Sequence, residues 1–206
     1  MKFLLFLIFL ANAAVAQQQE YLVESNNALK LMEEKKYEEA ISIFSFLVDK
    51  YPRYSTYRYH RALSYSYLLK YNEALADYKI LAQQLSDEPE YYFQAGALFE
   101  KIEKPDSAEW YYSKAISLTQ EDYQYYSQRG TFYLKQGLYS KAVSDLDASI
   151  RLNPNHLSSL HNRGNALSKL GNKKKACEDW CLASSLGSEM SKKQVEKNCQ
   201  QHPCTK

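Results

Sequence analysis

The feature that most constrains this chain is a period of 34 residues. Alanines in register recur at Ala40, Ala74, Ala108, Ala142 and Ala176. Self-similarity at a fixed period of this size is typical of repeat proteins, in which each unit packs on its neighbours. The chain has only 6 Gly and 5 Pro in 206 residues, which favours helices joined by short loops over a turn-rich β fold. We therefore predict an all-α array.

Each repeat also places a small and a large residue at fixed distances from its alanine. The small residues are Ala28, Ala62, Gly96, Gly130 and Gly164, and the large ones are Phe44, Tyr78, Tyr112, Leu146 and Trp180. A small residue that faces a large one lets two helices approach closely. The pattern therefore predicts two packed helices in every repeat.

This pattern resembles the tetratricopeptide repeat family, whose unit of 34 residues is a helix, a turn and a second helix. Five units fit the chain, over residues 21–54, 55–88, 89–122, 123–156 and 157–190. The family's first-helix tryptophan is replaced by Glu24, Arg58, Tyr92, Tyr126 and Leu160. The resemblance implies a right-handed α-solenoid over residues 17–190, closed by a capping helix and tail over residues 188–206. A generic helical bundle is the alternative.

The N-terminal segment has the composition of a secretory signal peptide. Lys2 precedes an apolar run from Phe3 to Leu10, and a stretch of small residues ends at Ala16. A positive charge, a short apolar core and an Ala-x-Ala site are the three parts of an export signal. We predict that residues 1–16 are cleaved and that the protein is periplasmic or secreted. The alternative is an uncleaved anchor, although a membrane-spanning helix needs about 20 apolar residues.

Arginine and aspartate appear and disappear together within the repeats. Repeats one and three lack both, with Asn27 and Ile43 in the first repeat and Ala95 and Tyr111 in the third. A partly buried charge usually has an internal partner, so we predict ion pairs between the helices of one repeat. The predicted pairs are Arg61 with Asp77, Arg129 with Asp145, and Arg163 with Asp179. The alternative is that these arginines bind a ligand carboxylate.

In the family that the pattern resembles, the first helices line a concave groove that holds a peptide or a partner's helix. Aromatic and amide side chains on one face of these helices suit a peptide better than a charged polymer. The predicted groove residues are Tyr59, Leu63, Tyr67, Phe93, Gln94, Ala97, Gln128, Thr131, His161, Asn162 and Asn165. Ordinary core packing is the alternative role for each tyrosine. The small Ala97 beside Phe93 is the basis for a hypothetical central pocket.

All four cysteines lie near the C-terminus, and an even number in an exported chain favours disulfides. A bond from Cys177 to Cys181 would bridge one helical turn, where the side-chain directions fit poorly, so each is expected to bond the tail. That reasoning leaves two connectivities open. Resemblance to the closing segment of exported bacterial repeat proteins implies Cys177 with Cys199, and Cys181 with Cys204. A zinc site formed by these cysteines and His202 is the alternative.

The sequence contains no motif that indicates catalysis. It has no Gly-rich phosphate loop, His-Glu-x-x-His helix or Gly-x-Ser-x-Gly elbow, so we expect no enzymatic activity, cofactor or metal. A total of 26 Lys and Arg against 24 Asp and Glu excludes the strong basic excess of a general nucleic-acid binder. We predict a protein-interaction adaptor or scaffold of the cell envelope or secreted space. The alternatives are a self-associating structural subunit, or a glycan- or small-molecule-binding accessory of an envelope enzyme, with Tyr59, Tyr67 and Phe93 as stacking platforms.

Overall fold

A computed structural model describes residues 21–204, and every regular element in this part of the chain is an α-helix. The all-α prediction is confirmed. The predicted signal peptide, residues 1–16, lies outside the described residues. Within residues 21–204, no helix is long and apolar enough to cross a membrane. The chain divides into two compact units, Met1–Lys104 and Pro105–Lys206, which we describe separately as unit 1 and unit 2.

The described part of unit 1 is built from pairs of antiparallel helices joined by short turns. Its helices are α1 (21–33), α2 (Tyr37–Lys50), α3 (Ser55–Tyr67), α4 (Tyr71–Gln84) and α5 (Pro89–Lys101). The core between α1, α2 and α3 contains Ala28, Ala40 and Phe44, so the in-register small and large residues meet as predicted. Further along, the Tyr92 hydroxyl of α5 donates a hydrogen bond to the carbonyl oxygen of Ala82 in α4 (3.0 Å).

The described part of unit 2 repeats this arrangement and ends with one additional helix. Its helices are α6 (Pro105–Leu118), α7 (Tyr123–Lys135), α8 (Tyr139–Leu152), α9 (Leu157–Lys169), α10 (Lys173–Ser185) and α11 (Glu189–Asn198). A Cβ atom added to Gly164 would lie only 2.5 Å from Trp180 Nε1, and one added to Gly130 would lie 2.8 Å from Leu146 Cγ. Glycine is therefore required where α9 meets α10 and where α7 meets α8, as the small-to-large pattern predicts.

The turn between paired helices has the same backbone geometry in successive repeats, and the sequence pattern did not reveal it. Lys35 and Leu69 have φ angles of 60° and 59°, and Gly137 and Gly171 hold the same turn position in unit 2 with φ angles of 75° and 82°. A left-handed residue after a helix allows the following amides to bond back to the last helical turn. For example, Lys36 N–H donates to the carbonyl oxygen of Leu31 (2.8 Å).

Candidate partner-binding site

The three predicted arginine–aspartate pairs are present in the structure, and each joins the two helices of one repeat. In α7 and α8, Arg129 Nε donates to Asp145 Oδ2 (2.7 Å) and Nη2 donates to Oδ1 (2.8 Å). The same two-bond geometry joins Arg61 to Asp77 and Arg163 to Asp179. Two parallel charge-assisted bonds hold the carboxylate in a fixed orientation. This arrangement supports a structural role for the arginines.

Each of these arginines also binds a second side chain, which we did not predict from the sequence. The remaining nitrogen, Nη1, donates to Ser45 from Arg61 (3.3 Å), to Ser113 from Arg129 (2.9 Å) and to Asp147 from Arg163 (2.6 Å). The acceptor always lies 16 residues before the arginine, in the second helix of the preceding repeat, and the paired aspartate lies 16 residues after it. One guanidinium therefore connects three helices. This symmetrical spacing is the signal from which the acceptors could have been found.

The C-terminal cap is held by two disulfides with the connectivity that the resemblance implies. Cys177 is bonded to Cys199, and Cys181 is bonded to Cys204. Because all four sulfur atoms are paired, these cysteines do not form the alternative zinc site. Cys177 and Cys199 are buried with Trp180 in one apolar cluster, against which Val195 of α11 packs. Met190 of the same helix does not take part in this packing, since it is 64% exposed.

On the first helices of unit 2, two of the predicted groove residues are bonded to each other. Asn162 Nδ2 donates to Thr131 Oγ1 (2.9 Å), and Thr131 Oγ1 donates to the carbonyl oxygen of Ser127 (2.8 Å). Ser159 Oγ donates to Ser127 Oγ (2.9 Å) in the same region. Gln128 and Asn165 remain partly exposed on this face. The hydrogen bonds from Asn162 and from Ser159 therefore connect α9 with α7.

His161 does not line an open surface, which corrects its assignment to the groove. It is only 8% exposed, because α11 lies over it and Ser191 Oγ is 2.9 Å from its Nδ1. Its backbone carbonyl oxygen also accepts a hydrogen bond from Trp180 Nε1 (3.2 Å). Helix α11 therefore occupies the space that a ligand would need in order to contact His161.

We expect the free energy of unfolding to decrease as the pH falls below the ordinary histidine pKa of about 6.5. Burial lowers the pKa of His161 in the folded protein, so the unfolded chain binds more protons in that pH range. Urea unfolding of the parent and a His161→Asn variant at pH 7.5 and 5.5 measures the contribution, because an amide preserves a polar partner for Ser191. The variant should lose less stability on acidification. Burial also lowers the pKa of His60 and His156, which both proteins retain. An equal loss of stability in both proteins would therefore assign the pH dependence to those residues and contradict the role of His161.

The first helices of unit 1 carry a different kind of surface, which is aromatic and aliphatic. Its predicted residues Tyr59, Leu63, Phe93 and Ala97 are all partly exposed, and Tyr67 is exposed. We call these five residues the first-helix face of unit 1. Helices α3 and α5 are adjacent here, since the ring centroids of Tyr59 and Tyr91 are 6.0 Å apart. Apolar area that remains accessible beside a well-packed core is available for a ligand.

Neighbouring side chains hold this face in place. The ring of Tyr67 stacks on that of Tyr37 from α2, with centroids 4.7 Å apart and an interplanar angle of 19°. Gln94 is also at this surface, and its Nε2 donates to Glu90 Oε1 (2.7 Å). The amide that we assigned to ligand binding therefore already has an intrahelical partner. Tyr67 is the exposed member of this surface, whereas Gln94 is partly exposed, as Tyr59 and Phe93 are.

Beneath the face, Tyr78 reaches from α4 toward Tyr59. Tyr78 is 0% exposed, and the two ring centroids are 6.1 Å apart in an edge-to-face arrangement. Its hydroxyl is buried without a hydrogen-bond partner among the described residues, as is the hydroxyl of Tyr51. Sequence patterns placed Tyr78 in the core correctly, but an unpaired hydroxyl cannot be read from residue spacing.

Comparison with known proteins places these repeats among characterised folds. The model of the tetratricopeptide repeat family matches residues 89–122, 123–156 and 157–186. No curated protein matches the chain significantly. Solved structures similar to the chain include YrrB, titled a TPR protein with an unusual peptide-binding site, at 21% identity and a TM-score of 0.72, over 90% of this chain and 97% of that one.

Two further similar structures are of the protein MamA. One has 17% identity and a TM-score of 0.73, over 86% of this chain and 94% of that one. The other, residues 41 to the end of MamA from Desulfovibrio magneticus RS-1, has 15% identity and a TM-score of 0.74, over 81% and 94% of the two chains. At these identities the similarity concerns the fold.

Proposed function

Residues 89–186 of the chain match the tetratricopeptide repeat family, and from this premise we propose that the protein binds a peptide segment of a partner protein on the first-helix face of unit 1. The single observation that carries the proposal is that Tyr59, Leu63, Phe93 and Ala97 stay partly exposed on α3 and α5. At the comparable positions of unit 2, Asn162 is bonded to Thr131 and His161 is covered by α11, while Gln128 and Asn165 are polar and partly exposed.

The chemistry of this face favours an extended peptide with apolar side chains. Tyrosine and phenylalanine supply large contact areas at a small cost in side-chain entropy, and such residues are enriched among those that dominate binding energy. YrrB, which has a similar fold, has an unusual peptide-binding site, and this agrees with the proposal. The ligand is therefore recognised mainly through buried apolar area, supplemented by polar contacts at the edge.

We propose that the protein acts in an oxidising compartment outside the cytoplasm, as an adaptor or scaffold without catalytic activity. The N-terminal apolar segment with its Ala-x-Ala site supports export. The two disulfides of the C-terminal cap agree with that compartment, because reducing conditions disfavour such bonds. The partner is then a protein of the cell envelope or the secreted space.

Selection from a displayed library of random peptides tests the proposal directly, because the library samples ligand sequences without bias toward any one partner. The purified, oxidised protein is the bait, and enriched peptides are synthesised and their affinities are measured by fluorescence polarisation. We expect a Leu63→Glu variant to lose at least about tenfold in affinity, because a charge on the face must be desolvated on binding. Circular dichroism checks that the variant is folded.

Ile80→Glu is the matched control, since it introduces the same charge into the same unit. Ile80 lies on α4 two positions from the buried Tyr78, on the exposed side of that helix. It should leave the affinity unchanged. Equal affinity of the Leu63→Glu variant, or enrichment of no peptide, would refute the proposed site. A size that increases with protein concentration would instead favour the self-associating subunit.

A further inference from the structure

The unpaired hydroxyl of Tyr78 needs an explanation, because burying a polar group without a partner costs free energy. Tyr78 is fully buried, whereas a phenylalanine there would fill nearly the same volume with no unpaired atom. The equivalent large residue of the first repeat is in fact Phe44, which is also fully buried. The hydroxyl is therefore not required for packing at this repeat position.

The surroundings of Tyr78 connect it to the first-helix face of unit 1. Tyr59 contacts it edge-to-face, and the ring of Tyr59 also lies near that of Tyr91 in α5. Tyr59 thus contacts the buried phenol and is itself a partly exposed member of the first-helix face. Rotation of a partly exposed aromatic side chain about its χ angles is a fast, local motion.

We propose that Tyr78 is a specificity-determining residue whose hydroxyl donates a hydrogen bond to a backbone carbonyl of the bound peptide. This inference rests on the proposed function of the first-helix face. The peptide backbone reaches Tyr78 when the Tyr59 side chain rotates away from it. The apolar side chains of the peptide then pack against Leu63 and Phe93. The carbonyl then pairs the Tyr78 hydroxyl, which has no hydrogen-bond partner among the described residues.

Two features determine the kind of acceptor that fits. Burial is the largest of the causes that raise the pKa of the Tyr78 hydroxyl, and nearby Tyr59 and Glu90 raise it further, so the group remains protonated and acts as a donor. The negative charge of Glu90 nearby disfavours a carboxylate as the partner. A neutral acceptor, as in the middle of an extended peptide, is therefore favoured over a free C-terminus.

The test compares three conservative variants with the parent. The probe is the tightest peptide from the display selection, labelled with a fluorophore and blocked at both ends so that it has no terminal charges. Tyr78→Phe should bind it about three- to tenfold more weakly, the effect of losing one hydrogen bond. The melting temperature of this variant should be unchanged or higher, because no intramolecular hydrogen bond is removed.

Tyr51→Phe is the matched control, because it removes the other buried, unpaired hydroxyl, which is surrounded by Tyr21 and Tyr54 rather than by the first-helix face. It should bind the peptide like the parent. Tyr92→Phe, which removes a hydroxyl bonded to Ala82, should lower the melting temperature without changing affinity.

The outcomes separate this inference from the proposed function. Parent-like affinity of Tyr78→Phe, with Leu63→Glu still impaired, overturns the role of Tyr78 and leaves the site intact; a water molecule would then account for the hydroxyl. If Leu63→Glu binds as well as the parent, or no peptide is selected, both proposals fail. Equal weakening by Tyr51→Phe and Tyr78→Phe would also overturn the inference, because the effect would not be specific to this face.

Discussion

Replacing Arg129 with alanine is expected to lower the free energy of unfolding by about 3–5 kcal/mol, because the change leaves a buried carboxylate without its counter-charge. Asp145 is only 6% exposed, and both of its oxygens accept bonds from Arg129. The loss extends beyond one repeat, since Arg129 also holds Ser113 of α6. Urea unfolding followed by circular dichroism measures the change.

Two further variants determine whether the missing charge is the cause. Replacing the pair together, as Arg129→Met with Asp145→Leu, should restore much of the stability, because an apolar pair leaves no unpaired charge. Arg151→Ala removes an exposed arginine of α8 and should change stability by less than about 0.5 kcal/mol. An Arg129→Ala protein with parental stability and impaired peptide binding would instead make Arg129 a ligand contact.

Removing the Cys177–Cys199 disulfide, by replacing both residues with alanine, should lower the free energy of unfolding by about 3 kcal/mol in the chain-entropy model. The bond closes a loop with a sequence separation of 22 and anchors α11 on the last repeat. Apart from this bond, α11 is held by partly buried Val195 and by the contact between Ser191 and His161. Amide hydrogen exchange should therefore accelerate in α11, while α7 and α8 remain protected.

The second disulfide provides the control for this prediction. Replacing Cys181 and Cys204 frees only the exposed tail, because Cys204 and its neighbours Gln201 and Pro203 are all exposed. Its loss should leave exchange in α11 close to that of the parent. Faster exchange in α11 after this replacement, or no acceleration after loss of the Cys177–Cys199 bond, would contradict the assignment of the anchor.

The residues that the sequence predicted best are those that recur with the 34-residue period. Gly164 and Trp180 meet as expected because close helix packing demands a small residue opposite a large one. Arg129 and Asp145 could be paired because both are missing together from other repeats. In each case the same packing or charge requirement recurs in several repeats. Equivalent positions of the repeats can therefore be compared within this one sequence.

Features that occur once, or that depend on a neighbouring element, could not be predicted in this way. The helical period of α9 places His161 on the predicted groove face, but α11 covers that residue. The period shows which residues share a face, and it does not show which other element packs on that face. Lys35 and Leu69 adopt the left-handed conformation without the glycine that usually indicates it. Ser113 was missed because a serine is too common to be noticed unless its spacing from Arg129 is compared with that in other repeats.

The central claim is that the first-helix face of unit 1 is the peptide-binding surface. The most direct test is photocrosslinking of the oxidised protein with the best selected peptide, synthesised with a benzophenone side chain at one apolar position. Mass spectrometry of the digested product locates the attachment. We expect attachment within Ser55–Tyr67 or Pro89–Lys101, the helices α3 and α5 that carry this face. Attachment confined to α2, α4 or unit 2 would contradict it.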